Sequence, residues 1–357
     1  MQKELHHKAL HLLRQLIAIP SFSKEESGTA DAIMDFLSSQ QVHAVRLENN
    51  IYAKNKYFDS SKPTILLNSH HDTVKPDIGY INNPFLPIEN DEKLYGLGSN
   101  DAGGSLVALI ATFLFFYDRQ DLRYNIILAA SAEEEISGKN GIELLLPALG
   151  HIDFGIVGEP TEMEMAIAER GLLVIDCVAE GKAGHVAGNE GENALYKAIE
   201  DINWIKNYRF EKISALLGET KMNVTVIETE NRQHNVVPSQ CKFVIDIRVN
   251  ELYSFDEVLQ VLLDNLKGSI QPRSTRLRST SIPLDHPLVK AGLGLNMGYY
   301  GSPTISDKAL IPFPTLKLGP GKSTRSHMAD EFIYVREIEE GIETYIKLLE
   351  QVAVIKN

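Results

Sequence analysis

Residues 66–74, Leu-Leu-Asn-Ser-His-His-Asp-Thr-Val, place the tightest limit on what this chain can fold into. An apolar run that reads as a buried strand stops at His70, and Asp72 stands two residues later. A strand end is a rigid place to hold a metal ligand, and a nearby carboxylate can take the other ring N–H of a ligating histidine. A histidine near an aspartate is more often a plain hydrogen-bonded pair. The pattern therefore gains weight only from the rest of the chain, where four more ligand-type residues stand at matching places.

The flanking segments define the setting. A helix over residues 5–17 leads to Pro20, and Ser23 with Glu26 predicts a capping box for a second helix over 30–37. Strands are expected at 42–47, 50–54, 65–68, 125–130, 154–157 and 314–318. Apolar helices are expected at 106–117 and 141–146. Strands alternating with helices predict an α/β sheet covered on both faces, with ligands bound outside the carboxyl ends of the strands. His70, Glu134, Glu135 and Glu159 all follow strands on that side, and Asp101 opens a helix at the same rim. The texture changes near Met165. A strand at 171–179, a Gly- and His-bearing loop, a helix at 193–206, a strand pair at 223–228 and 242–249, and a helix at 255–266 predict a small α+β insertion. The expected division is 1–165 plus 279–357 for the first domain and 166–278 for the second.

Composition narrows the function classes. Lys and Arg total 35 against 48 Asp and Glu, a net charge of −13, which disfavours a nucleic acid or an anionic membrane as partner. Cys177 and Cys241 lie far apart, which argues against a disulfide framework or a zinc-thiolate site and points to a reducing, cytoplasmic setting. The 106–117 helix is too short to span a bilayer, and the first helix has no signal-peptide character. Two nucleotide motifs fail. Gly321-Lys322-Ser323 lacks the first P-loop glycine, since Leu316 stands there, and the third glycine of a Gly96-x-Gly98 fingerprint is Asp101.

Five candidate ligands remain: His70, Asp101, Glu135, Glu159 and His327. Each has a bland reading, such as Asp101 as a helix cap or Glu134 and Glu135 as a solvated turn, but one site accounts for all of them together. Two histidines and three carboxylates are too many donors for one tetrahedral zinc. They suit two metals bridged by one carboxylate. A general base must still take the proton of the attacking water, and Glu134 stands beside Glu135 for that task.

These residues carry a family resemblance over nearly the whole chain. His70-His71-Asp72, Gly98-Ser99-Asn100-Asp101, Glu133-Glu134-Glu135, Gly158-Glu159-Pro160-Thr161 and His327 before Asp330-Glu331 resemble, in order, the motifs of the M20 metallopeptidases and amidohydrolases. The resemblance implies a zinc-peptidase-like α/β/α catalytic domain with an inserted ferredoxin-like lid through which the protein forms a homodimer. It implies that Asp101 bridges two divalent metals, with zinc the default and cobalt or manganese accepted by the same donors. His70 and Glu159 would complete one metal site, Glu135 and His327 the other. Asp72 would orient His70, and Glu134 would be the base. His185, after Gly184, would reach the oxyanion from the lid of a partner copy, and Asn235 and Arg248 would hold a substrate carboxylate. Two departures stand out: Gly103 where the family often has Lys, and Lys75 between Val74 and Pro76.

The expected reaction is amide hydrolysis on a small N-acyl amino acid. The favoured substrates are N-acetyl-ornithine or an N-acetyl- or N-succinyl-citrulline, on an arginine-type biosynthetic path. Succinyl-diaminopimelate desuccinylase and a metallo-dipeptidase or aminopeptidase are the alternatives, and a catalytically silent metal- or peptide-binding protein is the competitor from another class. Lys322 and Arg325, close before His327, are candidate cationic contacts for an acidic acyl group.

Overall fold

The computed structural model describes residues 2–355. The chain separates into two compact units: residues 1–167, 282–300 and 306–357, and residues 168–281 with 301–305.

In the first unit, four parallel strands form the centre of a mixed sheet. In spatial order they are Asn125–Ser131, Thr64–His70, Phe154–Val157 and Thr315–Lys317. The antiparallel strands Ala44–Leu47 and Asn50–Lys54 extend one side, and Met165–Glu169 begins the other. Thr64–His70 and Asn125–Ser131 are buried at every position, as expected of strands covered on both faces. Alternation then divides their side chains. Leu66, Ile127, Ala129 and Val157 pack under the helix Ile142–Leu149. Ile65, Leu67, Ile126 and Leu128 are equally buried and face the opposite side. The helix Gly104–Phe116 packs on these strands, with the helices Gln2–Ile17 and Val335–Ala353 against it. It is buried along nearly its whole length, which explains why it is apolar all round.

The capping box expected from Ser23 and Glu26 does not form. The helix Ser27–Ser39 starts with Glu26 at its cap position and no side-chain cap bond. Glu26 instead accepts from the Lys24 and Glu133 N–H groups, and the Ser23 hydroxyl donates to Asp72 at 2.7 Å. Both residues serve tertiary contacts toward the strand ends, which the local pattern could not show.

The second unit has four antiparallel strands in the order Lys221–Glu228, Gln240–Val249, Gly171–Glu180, Ser269–Pro272. The helices Ala194–Asn207 and Phe255–Asn265 join the strands in a β-α-β-β-α-β sequence, which is the ferredoxin-like arrangement. One sheet face and both helices share a core that includes Ile175, Phe243, Ile245, Ala198 and Leu262. The second helix carries the capping box Ser254–Glu257.

Candidate metal centre

The parallel strands end in register, and the donors follow their ends. His70 closes its strand opposite Ser131, and Asn68 pairs with Val157, so the loops bearing Glu134, Glu135 and Glu159 leave from one edge. Asp101 lies in the tight turn Ser99–Gly103 ahead of the buried helix. That turn needs glycine at two places. Gly98 has φ +74°, and a Cβ on Gly103 would stand 2.3 Å from the Gly98 carbonyl oxygen, so this chain's turn leaves no room for the Lys often found there in the family.

The five donors fall into two groups that share Asp101: His70, Asp101 and Glu159, and Asp101, Glu135 and His327. The two oxygens of Asp101 serve different histidines. Oδ1 is 3.3 Å from His70 Nε2, and Oδ2 is 3.4 Å from His327 Nε2. Glu159 stands 3.9 Å from His70 Nε2, and Glu135 2.9 Å from His327 Nε2. Metal–donor distances of about 2.0–2.2 Å put tetrahedral ligands about 3.4 Å from each other, so these separations fit donors around two cations bridged by one carboxylate. His70 is buried, whereas His327 is half exposed and faces the open side.

Electrostatics point the same way. Burial opposes charge on His70, but hydrogen bonds to Asp101 and Asp72 and the fields of Glu134 and Glu159 outweigh it, so its pKa stands well above the ordinary histidine value. The hydrogen bond to Glu135, against burial, lifts His327 to about 9. Burial pushes Glu134 well up, with the charges of Glu159, Asp307 and Glu135 adding to it, and raises Glu135 also. Carboxylates crowded beside two imidazoles repel one another, and divalent cations held by these donors would supply the missing positive charge.

Asp72 does more than face a histidine. His70 Nδ1 is 2.9 Å from the Asp72 main-chain oxygen and 3.4 Å from its carboxylate. The carboxylate also accepts the Glu134 N–H at 3.0 Å, the Glu135 N–H at 3.2 Å and the Ser23 hydroxyl. One buried acid thus fixes the turn that carries both Glu134 and Glu135. Burial pushes the Asp72 carboxyl up, but the hydrogen bond and charge of His70, with the Ser23 hydroxyl, outweigh it and keep its pKa below the ordinary carboxylate range. His71 turns away, with Nδ1 on the Thr29 hydroxyl and Nε2 on the Asn49 carbonyl.

The remaining sequence-predicted residues lie outside these two groups. Lys322 pairs with Glu162 at 3.1 Å. Arg325 makes a two-pronged pair with Glu337 at 2.7 and 3.0 Å, flanked by Phe332 and Tyr334. Both cations thus meet protein carboxylates, which the helix Val335–Ala353 and the turn at Glu162 bring to them. In the second unit, Arg248 is paired with Asp246 through two hydrogen bonds. His185 is exposed on a two-residue ladder with Val236–Val237 and accepts the Ala187 N–H, while the exposed Asn235 holds Val186 through its carbonyl. Sequence reasoning missed Asp307. It is 2% exposed, accepts from Asn68 at 2.9 Å and Ser131 at 2.6 Å beneath the strand ends, and is pushed up to about 6, chiefly by burial. Its only sequence signal was a charge pair, Asp307-Lys308, leading into Ala309-Leu310-Ile311.

Known proteins match this chain along most of its length. It is 28% identical over 339 residues to the succinyl-diaminopimelate desuccinylase of Rickettsia bellii (strain OSU 85-389), covering 89% of this chain and 84% of the relative. Its fold matches aminopeptidase PepT from Bacillus cereus ATCC 10987, with a TM-score of 0.76 at 17% identity over 97% of this chain and 98% of the other. It also matches the Bacillus subtilis YXEP protein, described as a dinuclear metal-binding peptidase from the M20 family. There the TM-score is 0.72 at 16% identity over 97% of this chain and 98% of the other. The sequence pattern of peptidase family M20/M25/M40 fits residues 66–351. A match of that length decides the family: this chain belongs to peptidase family M20/M25/M40, as a metal-dependent amidohydrolase.

Proposed function

We propose that this protein hydrolyses the amide bond of an N-succinyl amino acid, with N-succinyl-diaminopimelate the leading substrate. The observation that carries the chemistry is the Asp101 carboxylate, with one oxygen toward His70 and the other toward His327, together with the half-buried Glu134 in the adjoining turn. The substrate rests on the name of the desuccinylase relative. That name favours the diaminopimelate alternative over the acetylornithine or citrulline substrate expected from sequence, and it gives no support to an arginine-type path.

His70, Asp101, Glu135, Glu159 and His327 would hold two divalent cations, zinc by default. Bound there, such cations polarise a scissile carbonyl and lower the pKa of water. The protein's own part is proton handling and alignment. Glu134, whose burial raises its pKa, takes the proton of the attacking water and later delivers it to the leaving amine. Asp72 holds that glutamate in place through the Glu134 N–H. As part of the same proposal, His185 from a second copy stabilises the oxyanion in a homodimer.

The test is turnover of N-succinyl-diaminopimelate against N-acetyl-ornithine, N-acetyl- and N-succinyl-citrulline and a set of dipeptides. Preferred cleavage of the succinyl substrate supports the reading. Preferred cleavage of acetyl-ornithine or of dipeptides would overturn it.

A further inference from the structure

The acidic pair Asp330-Glu331 stands three and four residues after the ligand His327, and its two side chains go to opposite places. Glu331 is 2% exposed. Its carboxylate accepts three main-chain N–H groups, from Asn100 at 2.8 Å, Asp101 at 2.9 Å and Gly98 at 3.1 Å. Its own carbonyl accepts from Gly96. These donors belong to the turn that presents Asp101. The small antiparallel sheet of Phe332–Tyr334 on Lys93–Tyr95 holds the two segments together.

Asp330 faces the other way. It accepts from the Asn82 N–H at 2.9 Å, the Asn82 side chain at 3.1 Å and the Ile81 N–H at 3.2 Å. Those residues lie in the Pro-containing loop after the strand of His70. That loop walls a cavity of about 240 Å³ lined by Lys75, Asp77, Tyr80, Met328 and the ligand His327, so it adjoins the metal centre. Lys75, the residue inserted before Pro76, is one of its walls.

We propose that Glu331 and Asp330 are two separate positioning residues: Glu331 sets the bridging carboxylate of Asp101, and Asp330 sets the loop that walls a substrate pocket beside His327. The physical basis is the multiplicity of each clamp. A buried carboxylate with three N–H donors fixes a turn as no single bond can, and partners behind a ligand typically change metal affinity 10–100-fold when altered. Asp101 serves both donor groups, so its displacement affects both cations together. The Asp330 clamp touches no donor and should act on substrate alone.

The experiment pairs Glu331→Gln with Asp330→Asn. Gln keeps one oxygen for the Asn100 and Asp101 N–H groups but turns an NH2 toward the Gly98 N–H. In metal-free protein titrated with Co2+, Glu331→Gln should weaken both binding steps in parallel by about 10-fold or more. His327→Ala should weaken one step more than the other. If Glu331→Gln is not recovered folded, Glu331→Asp withdraws the same oxygens by one methylene, keeps the carboxyl group and should show the same parallel loss. Asp330→Asn should leave Co2+ affinity unchanged and raise KM about 5–10-fold with kcat within about twofold, an effect worth about 1–1.4 kcal/mol. Wild-type Co2+ affinity in the recovered Glu331 variant, or loss at one step only, would overturn the Glu331 assignment. Unchanged KM, or metal loss in Asp330→Asn, would overturn the other. The KM half rests on the proposed deacylase reading; the metal titration does not, so a failed substrate reading leaves the Glu331 result standing.

Discussion

Replacing Asp72 with Asn tests whether this residue acts chiefly by shaping the turn that carries Glu134, the proposed base. Asp72 offers one oxygen to the Glu134 N–H and the other to the Glu135 N–H and the Ser23 hydroxyl. An asparagine has one oxygen and one NH2, so either orientation sets an NH2 against a main-chain N–H. A buried donor left without an acceptor costs about 1–3 kcal/mol, and loss of the charge weakens the bonds that remain. If about 2.7 kcal/mol of this falls on the transition state, kcat drops about 100-fold. The same factor is expected when a catalytic group shifts by about 1 Å. Ser23→Ala removes one bond to the carboxylate and leaves both N–H acceptors, so it should cost kcat about 5-fold, or about 1 kcal/mol. The assay is steady-state turnover of the acyl substrate at saturating metal, with metal content measured on the same samples. Asp72→Asn with kcat within threefold of wild type, or with its whole loss in KM, would mean that Asp72 does not act by shaping this turn. Asp72 keeps its charge across the assay range. Its pKa lies below the ordinary carboxylate range, so the stability it contributes is present above that range and is lost only as pH falls through the folded value.

Other consequences are equally direct. Glu134→Gln should lower kcat by about 10²–10⁴ while two metals per chain remain, read by turnover and elemental analysis; metal loss in step with activity would make Glu134 a ligand instead. The metal-free protein should lose stability as pH rises from about 5 to about 9. The paired His327 loses its proton only near 9, so its contribution fades as pH climbs through that value, and the raised pKa values of Glu134 and Glu135 act with the same sign. Thermal melts in chelator should therefore fall between pH 6 and 9, and a rise would contradict this assignment. Cys177 is 1% exposed with its thiol pushed up to about 12 by burial, and Cys241 is fully buried. Neither should react with a thiol reagent until the protein unfolds; labelling of the native protein would show a more open second unit.

The legible parts of this chain are those written in one strand or one short motif. The strand before His70 could be read because an apolar run stopped at a polar pair, and the helix Gly104–Phe116 because its apolar residues run between Asp101 and Asp118. What could not be read depends on partners distant in sequence. Ser23 has the spacing of a helix cap, yet its hydroxyl meets Asp72, 49 residues away. Glu331 looked like the tail of a motif until three N–H groups 230 to 233 residues away converged on it. Arg325 is near His327 in sequence, but the helix starting at Val335 supplies Glu337 and takes its charge. Long polar side chains are the least readable, because which acid they meet is decided by tertiary packing and not by neighbours in the chain.

The proposed activity is that of a two-cation hydrolase acting on a succinylated amino acid. It is tested most directly by following N-succinyl-diaminopimelate hydrolysis as metal-free protein is titrated with Zn2+ or Co2+. The expected result is full activity reached as two equivalents per chain bind, with slower turnover of acetyl-ornithine and of dipeptides. Saturation at a single equivalent, or two equivalents bound with no hydrolysis of any N-acyl amino acid, would contradict a two-cation deacylase.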